Sequence, residues 1–185
     1  MNTVPLLIER LGALIQQSVR EDAARHGLLP IHVQMLQYLA QANRYSDLPI
    51  AIAEYLGISR GTVSQSLAVL ASRGLLTKQP DARHRKRLHL RLTAAGDAVL
   101  QTSWAEQVGQ ALQALPGDGR VQQAALRNLL RALQRVNGQR AFGVCRHCAH
   151  FCHDESGARC GLTQEPLAQE QITRICREWS EPAAA

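Results

Sequence analysis

Residues 48 to 96, LPIAIAEYLGISRGTVSQSLAVLASRGLLTKQPDARHRKRLHLRLTAAG, confine this chain to few folds. Leu48, Ile52 and Leu56 recur at helical spacing, and Pro49 suits a first helical turn, where a missing N–H costs little. Gly57 permits a tight reversal. Ser59 carries the hydroxyl of a helix N-cap, and Val63, Leu67 and Leu70 form the apolar stripe of the helix it opens. Gly74 closes that helix. LLTK and LHLRL then alternate as two strands around the tip QPDARHRKR. Helix, turn, helix and two-stranded wing in this order predict a winged helix-turn-helix, a fold that reads duplex DNA with its second helix.

The flanks read as helices. Leu7, Leu11, Leu14 and Ile15 share one face of a segment over 4–25, which Gly27 ends. Pro30 opens a second helix with Val33, Leu36 and Leu39 inward. After Thr93, Leu100, Trp104, Val108, Leu112 and Leu115 form one stripe that Pro116-Gly117 breaks. Asp118 is placed to cap a last long helix with Leu126, Leu129, Leu130, Leu133 and Val136 on one face, ended by Gly138. Few aromatics and many Leu and Ala agree with a mainly α chain bearing a small β-wing.

Charge divides the chain. Residues 1–140 hold 17 Lys and Arg against 9 Asp and Glu, whereas residues 141–185 hold 4 against 6. Attraction for a polyanion therefore belongs to the first part. The expected organisation is a winged-helix DNA-binding and dimerisation domain over 1–140, with helix-turn-helix and wing over 48–92. A cysteine-rich metal-binding segment over 141–180 and a disordered tail over 181–185 follow. The N-terminus lacks the features of a signal peptide, and no stretch is long and apolar enough to span a membrane, so a cytoplasmic location is expected. No paired carboxylates, nucleophile constellation or glycine-rich phosphate loop suggests an enzyme.

On the second helix of the motif, Ser59, Arg60, Thr62, Ser64, Gln65 and Ser66 are the expected groove-facing residues, short donors and acceptors with one Arg. Arg83, Arg85, Lys86 and Arg87 crowd the wing tip, with Arg91 beyond, where they are expected to meet the phosphate backbone or the minor groove.

The run LGISRGTVSQSLAVLASRGLLTK…LRLTAAG resembles the MarR family of bacterial regulators over roughly residues 3 to 140. The parts that carry the resemblance are GIS-x-x-TVS, RGLL and LTxxG. It implies a homodimer intertwined through the first and last helices, bound to a pseudo-palindromic operator, usually as a repressor. The wing departs from the family, which places an Asp before its paired Arg residues; His84 stands there, and Asp81 or a main-chain group is expected to anchor the wing instead.

All five cysteines lie in the added segment, as Cys145-x2-Cys148-x3-Cys152-x7-Cys160-x15-Cys176. In the cytoplasm clustered cysteines bind metal or do redox chemistry more often than they form structural disulfides. Structural zinc usually takes two close pairs, whereas one close pair followed by single cysteines is commoner in iron–sulfur sites. The segment resembles small four-cysteine [4Fe-4S] modules of the high-potential type. Cys145, Cys148, Cys160 and Cys176 are the expected ligands and Cys152 the spare, with Phe151 and Trp179 shielding the cluster. Zn2+ is the alternative metal, and a metal-free thiol switch remains open. His147, His150 and His153 are near enough to replace one cysteine.

Together these readings predict a DNA-binding transcriptional regulator that senses redox state, oxygen or iron through a C-terminal cluster. Because the segment follows directly on the last helix, a change in it is expected to shift that helix and the spacing of the reading heads, about 34 Å across one turn of DNA. The alternatives are a regulator responding to a small molecule or thiol oxidation with a structural zinc site, and an iron–sulfur electron-transfer protein using the winged helix to dock a protein.

Overall fold

A computed structural model of the chain describes residues 3–81, 87–101, 103–117, 119–155 and 157–182. Its centre is α2, Pro30–Gln41, which buries Val33, Met35, Leu36, Tyr38 and Leu39 and is therefore apolar on more than one face. Around it lie α1 (Val4–Arg25), α3 (Pro49–Leu56) and α4 (Arg60–Ser72). The wing strands β1 (Leu76–Pro80) and β2 (Leu88–Leu92) pair antiparallel, Leu76 against Leu92 and Pro80 against Leu88. Leu76 and Leu90 point into the same core as Ile52, Val63 and Leu70. Gly57 ends α3 with φ +65°, a conformation in which a side chain would be strained.

The LTAAG run has a steric reason. Thr93 caps α5 (Ala94–Leu100) by accepting the Gly96 N–H at 3.1 Å, and its own hydroxyl donates to the Gly74 carbonyl at 2.6 Å. This draws α5 so close to the start of the wing that a Cβ on Gly96 would stand 2.1 Å from the Leu75 carbonyl oxygen.

The stripe expected to run unbroken from Leu100 to Leu115 is broken at residues 101–103, and α6 starts afresh at Trp104–Gln113. The cause is a buried carboxylate on α1. Asp22, ion-paired with Arg25, accepts the Trp104 N–H at 2.7 Å and so satisfies a donor that a helix start leaves open. The Trp104 indole N–H donates to Gln37 at 2.9 Å. Sequence periodicity carries straight through such a break because the two helices keep the same apolar phase.

The last long helix, α7 (Gly119–Val136), buries no residue: Leu126 is 55% exposed and Leu130 52%. Leu7 and Leu11 on α1 are equally uncovered. Asp118, expected to cap α7, lies outside the described residues. No helix among the described residues is long and apolar enough to cross a membrane.

The C-terminal segment folds into β3 (Gly143–Val144), a 3-10 turn (Cys145–His147), β4 (Phe151–Asp154), β5 (Gly157–Cys160), a single helical turn α8 (Gln169–Ile172) and β6 (Ile175–Cys176). β3 pairs with β6, and β4 with β5. Glu181, assigned by sequence to a disordered tail, instead accepts from Arg131 at 2.9 Å. Residues 183–185 lie outside the described residues.

Gly96→Ala should destabilise the fold by about 1–3 kcal/mol, the range for overpacking a filled site. A lowered urea midpoint at unchanged slope checks this; an unchanged midpoint means that α5 is free to move away.

Candidate nucleic-acid interface and cysteine cavity

The reading helix is built as its sequence demands. Ser59 takes the Thr62 N–H at 3.1 Å and exchanges a hydroxyl contact with Thr62 at 2.9 Å, which fixes the first turn of α4. Arg60, Thr62, Ser64 and Gln65 are exposed along one side. Ser66, expected among them, is buried at 6% exposure. It stands three residues after Val63 and one before Leu67, so helical geometry turns it onto the core side. Arg87 is exposed at the foot of β2, whereas Arg83, Arg85 and Lys86 lie outside the described residues, as does His84.

The wing is anchored through a histidine that sequence reasoning did not single out. His89 Nδ1 lies 2.5 Å from an Asp47 oxygen and Nε2 lies 2.9 Å from an Asp81 oxygen. Ionised carboxylates only accept, so both contacts are hydrogen bonds when the ring is an imidazolium. Burial lowers the His89 pKa, but the bonds and charges of Asp81 and Asp47 outweigh it and raise it above the ordinary 6.5. Burial pushes the Asp47 carboxyl up from its ordinary range, against the opposing pull of His89 and Arg91. Asp81 also donates its N–H to the Arg87 carbonyl at 3.0 Å. Arg91, with a nitrogen 3.4 Å from Asp47, is thus held at the wing base.

In the C-terminal segment, four cysteines line a single cavity of about 20 Å3. Its walls carry Cys145, Cys148, Cys160 and Cys176, closed by Phe151 and Leu162. That volume is far below the several hundred Å3 of an organic-ligand site, so the chemistry of the wall defines what it takes. Cys152 is not on this wall; its Sγ points to the His150 carbonyl at 3.8 Å. Trp179, expected as a shield, does not line the cavity either. Its ring packs under Gly143, where a Cβ would meet it at 2.6 Å, and its N–H donates to the His147 carbonyl at 2.8 Å. Of the three histidines only His150 reaches the cavity.

Burial and then the neighbouring Cys176, Cys160 and Cys148 push the Cys145 thiol up to about 12. Burial likewise raises Cys176. All five cysteines are free thiols. As thiolates the four wall sulfurs would need a positive centre among them. Donors for such thiolates are in place. The Ser180 N–H points to Cys148 Sγ at 3.4 Å, and against the larger effect of burial Asn43 and Glu178 act to lower the Cys176 pKa. Asn43 Nδ2 is buried without a hydrogen-bond partner. Among the described residues, no three His, Cys, Asp or Glu side chains converge closely enough to hold a single metal ion.

The cysteine module docks on the helix-turn-helix itself. Asn43 N–H donates to the Ile175 carbonyl at 2.9 Å, and Ile175 forms a bridge with Ala42. Arg177 clamps Glu54 of α3 with two bonds of 2.7 and 2.8 Å, holding the Glu54 carboxyl below its usual range. Arg44 and Tyr45 both donate to Glu165, at 2.9 and 2.8 Å. Phe142 stacks edge-on against Tyr38 and Tyr55. These partners come from the run QANRYSD and from Tyr38, Glu54 and Tyr55 on the flanking helices, and no periodicity marks them.

Residues 26–87 match the MarR family model. That stretch holds α2, the helix-turn-helix, β1 and the wing tip. The MarR fold recurs in solved structures. A mutant MepR from a multidrug-resistant S. aureus clinical isolate is 21% identical, with TM-score 0.59 over 74% of this chain and 99% of its own. A MarR transcriptional regulator from Methanosarcina mazei Go1 gives 18% and 0.58 over the same shares. S. aureus MepR in complex with DNA gives 20% and 0.55 over 73% and 99%. Since these chains are covered almost entirely, about a quarter of this one is additional to the MarR fold. No curated protein matches the chain in sequence.

A raised His89 pKa makes wing anchorage present below about pH 6.5 and progressively lost as pH rises through the higher folded value. Titration of the His89 ring by NMR should give a pKa above 6.5, and His89→Gln should flatten the pH dependence of wing protection. A His89 pKa at or below 6.5 would sink this anchor.

Proposed function

We propose that this chain is a homodimeric DNA-binding transcriptional regulator of the MarR type whose C-terminal module holds an iron–sulfur cluster and reports its state to the DNA-reading head. The observation that carries the cluster reading is the ring of four thiols around one small cavity, with the fifth cysteine turned away. A single zinc at about 2.3 Å from each sulfur needs the thiols to meet at a point. Four cysteines lining one cavity match the four thiolates that an iron–sulfur centre takes. Cys145, Cys148, Cys160 and Cys176 would hold it. When bound, such a centre supplies one-electron redox chemistry.

The chain's own residues do the rest. Ser180 directs its N–H at the Cys148 sulfur, and such a donor tunes a cluster's potential. Phe151 and Leu162 keep water from the cavity. Arg177 fastens the module to α3, directly behind the reading helix.

DNA binding is supported by the exposed Arg60, Thr62, Ser64 and Gln65 on a capped helix, by the basic wing sequence, and by the matched fold, one example of which is MepR bound to DNA. Dimerisation is supported by the bare apolar faces of α1 and α7, which a monomer leaves in water. Arg60→Ala should weaken binding to duplex DNA and, if Arg60 meets a phosphate, lower the salt slope by about 0.9. Unchanged affinity and slope in a salt titration would remove α4 from the interface.

A second reading has its own observation. A cleft of about 550 Å3 between α7 and the module is lined by Tyr55, Phe142, Trp179, Leu126, Leu130 and Arg127, among others. Its size suits an organic effector, with the cysteines holding a structural zinc. Metal analysis of protein purified without oxygen decides. We expect a brown protein containing iron and sulfide, with both lost in single Ser variants of Cys145, Cys148, Cys160 or Cys176 and kept in Cys152→Ser. A colourless protein with one zinc per chain favours the second reading, and no metal at all favours a thiol switch.

A further inference from the structure

We infer that the turn between α2 and α3, Asn43 to Asp47, transmits the state of the cysteine cavity to the wing within one protomer. The inference rests on the reading that the cavity sulfurs change state, but the route is a matter of geometry. On one side of the turn, the residues that flank Cys176 are bonded to it: the Asn43 N–H donates to the Ile175 carbonyl at 2.9 Å. Ser46 Oγ accepts the Arg177 N–H at 2.7 Å and donates to Asn43 Oδ1 at 2.8 Å. On the other side, the Asp47 carbonyl accepts the Leu90 N–H of β2 at 2.8 Å, and its carboxylate faces His89.

The turn is stiff and dry. Asn43, Ser46 and Asp47 are 1%, 0% and 2% exposed, so water has no access to replace a lost partner. The Asn43 carbonyl accepts both the Ser46 and the Asp47 N–H, at 2.9 and 3.1 Å, which ties the two ends together. Cys176 sits between Ile175 and Arg177, so a change in what its sulfur holds shifts both neighbours, and their bonds to Asn43 and Ser46 carry the shift through Asp47 to β2. The rival route through α7 runs over Arg131, which stacks on the Trp179 ring at 4.8 Å and pairs with the solvent-exposed Glu181, a contact screened by salt. The route to the wing is also short: Asn43 and Ser46 link the residues flanking Cys176 to a strand that leads to the basic tip.

The test follows amide exchange at Leu90 in the full-length chain purified without oxygen, with iron, sulfide and zinc measured on each sample. Stripping the metal from the wild type with a chelator and oxidant, or Cys176→Ala, should speed Leu90 exchange by about tenfold, as local opening does when a buried partner is lost. Ser46→Ala keeps all five cysteines and should keep the metal. In it Leu90 should already exchange fast, with less than roughly a twofold further change on stripping. Unaltered Leu90 exchange under both treatments of the wild-type site, with β5 amides exchanging faster, overturns the relay and leaves the metal reading intact. Absence of metal overturns that reading, and Cys176→Ala then still decides the relay. Should Cys176→Ala lose core protection at Leu36, Asn43→Leu replaces it, with faster Leu90 exchange expected and unchanged exchange overturning the relay.

Discussion

A short polar turn buried between two apolar helices is the constraint on which this molecule depends. Asn43, Ser46 and Asp47 lie out of water, and buried polar groups left unpaired cost about 1–3 kcal/mol each. Two neighbours meet most of that demand, while Asn43 Nδ2 stays without a hydrogen-bond partner. The wing supplies the Leu90 N–H, His89 and Arg91; the C-terminal module supplies the Ile175 carbonyl and the Arg177 N–H. Tyr38 adds its hydroxyl to the Ser46 carbonyl at 2.8 Å. Wing and module, far apart in sequence, are therefore held by opposite sides of one turn.

The cysteine module could not hold its shape by apolar burial alone. Its paired strands are two to four residues long, and its buried side chains are few: Cys145, Leu167, Cys176 and Trp179. Segments of this size need a staple, either metal or a host surface. This one has a host surface in Glu54, Tyr45 and Arg44, and four sulfurs around a cavity in which a metal centre would complete the fold.

The long helices obey a different constraint. α7 has a strong apolar stripe and no buried residue, and α1 leaves its leucines in water over its first turns while Val19, Asp22 and Ala23 near its end are buried. Helices of that kind are finished by a partner surface, which is why assembly belongs to the function and not only to stability.

Much was legible in the chain itself. Gly57, Ser59, Thr93 and the apolar phases at 3.6 and 2 residues wrote the helix-turn-helix, the wing and their caps, because those signals are local. The four cysteines expected to act together, Cys145, Cys148, Cys160 and Cys176, line one cavity, and Cys152 lies off its wall. The break before Trp104 was hidden, because its cause, Asp22, sits 82 residues away. The inward turn of Ser66 was readable from its place beside Leu67, but its hydroxyl concealed it. His89, Asp47, Asn43 and Arg177 looked like ordinary surface polar residues. Only tertiary structure brought them together, since burial and long-range pairing of polar groups depend on which elements meet, and no periodicity in the chain records that.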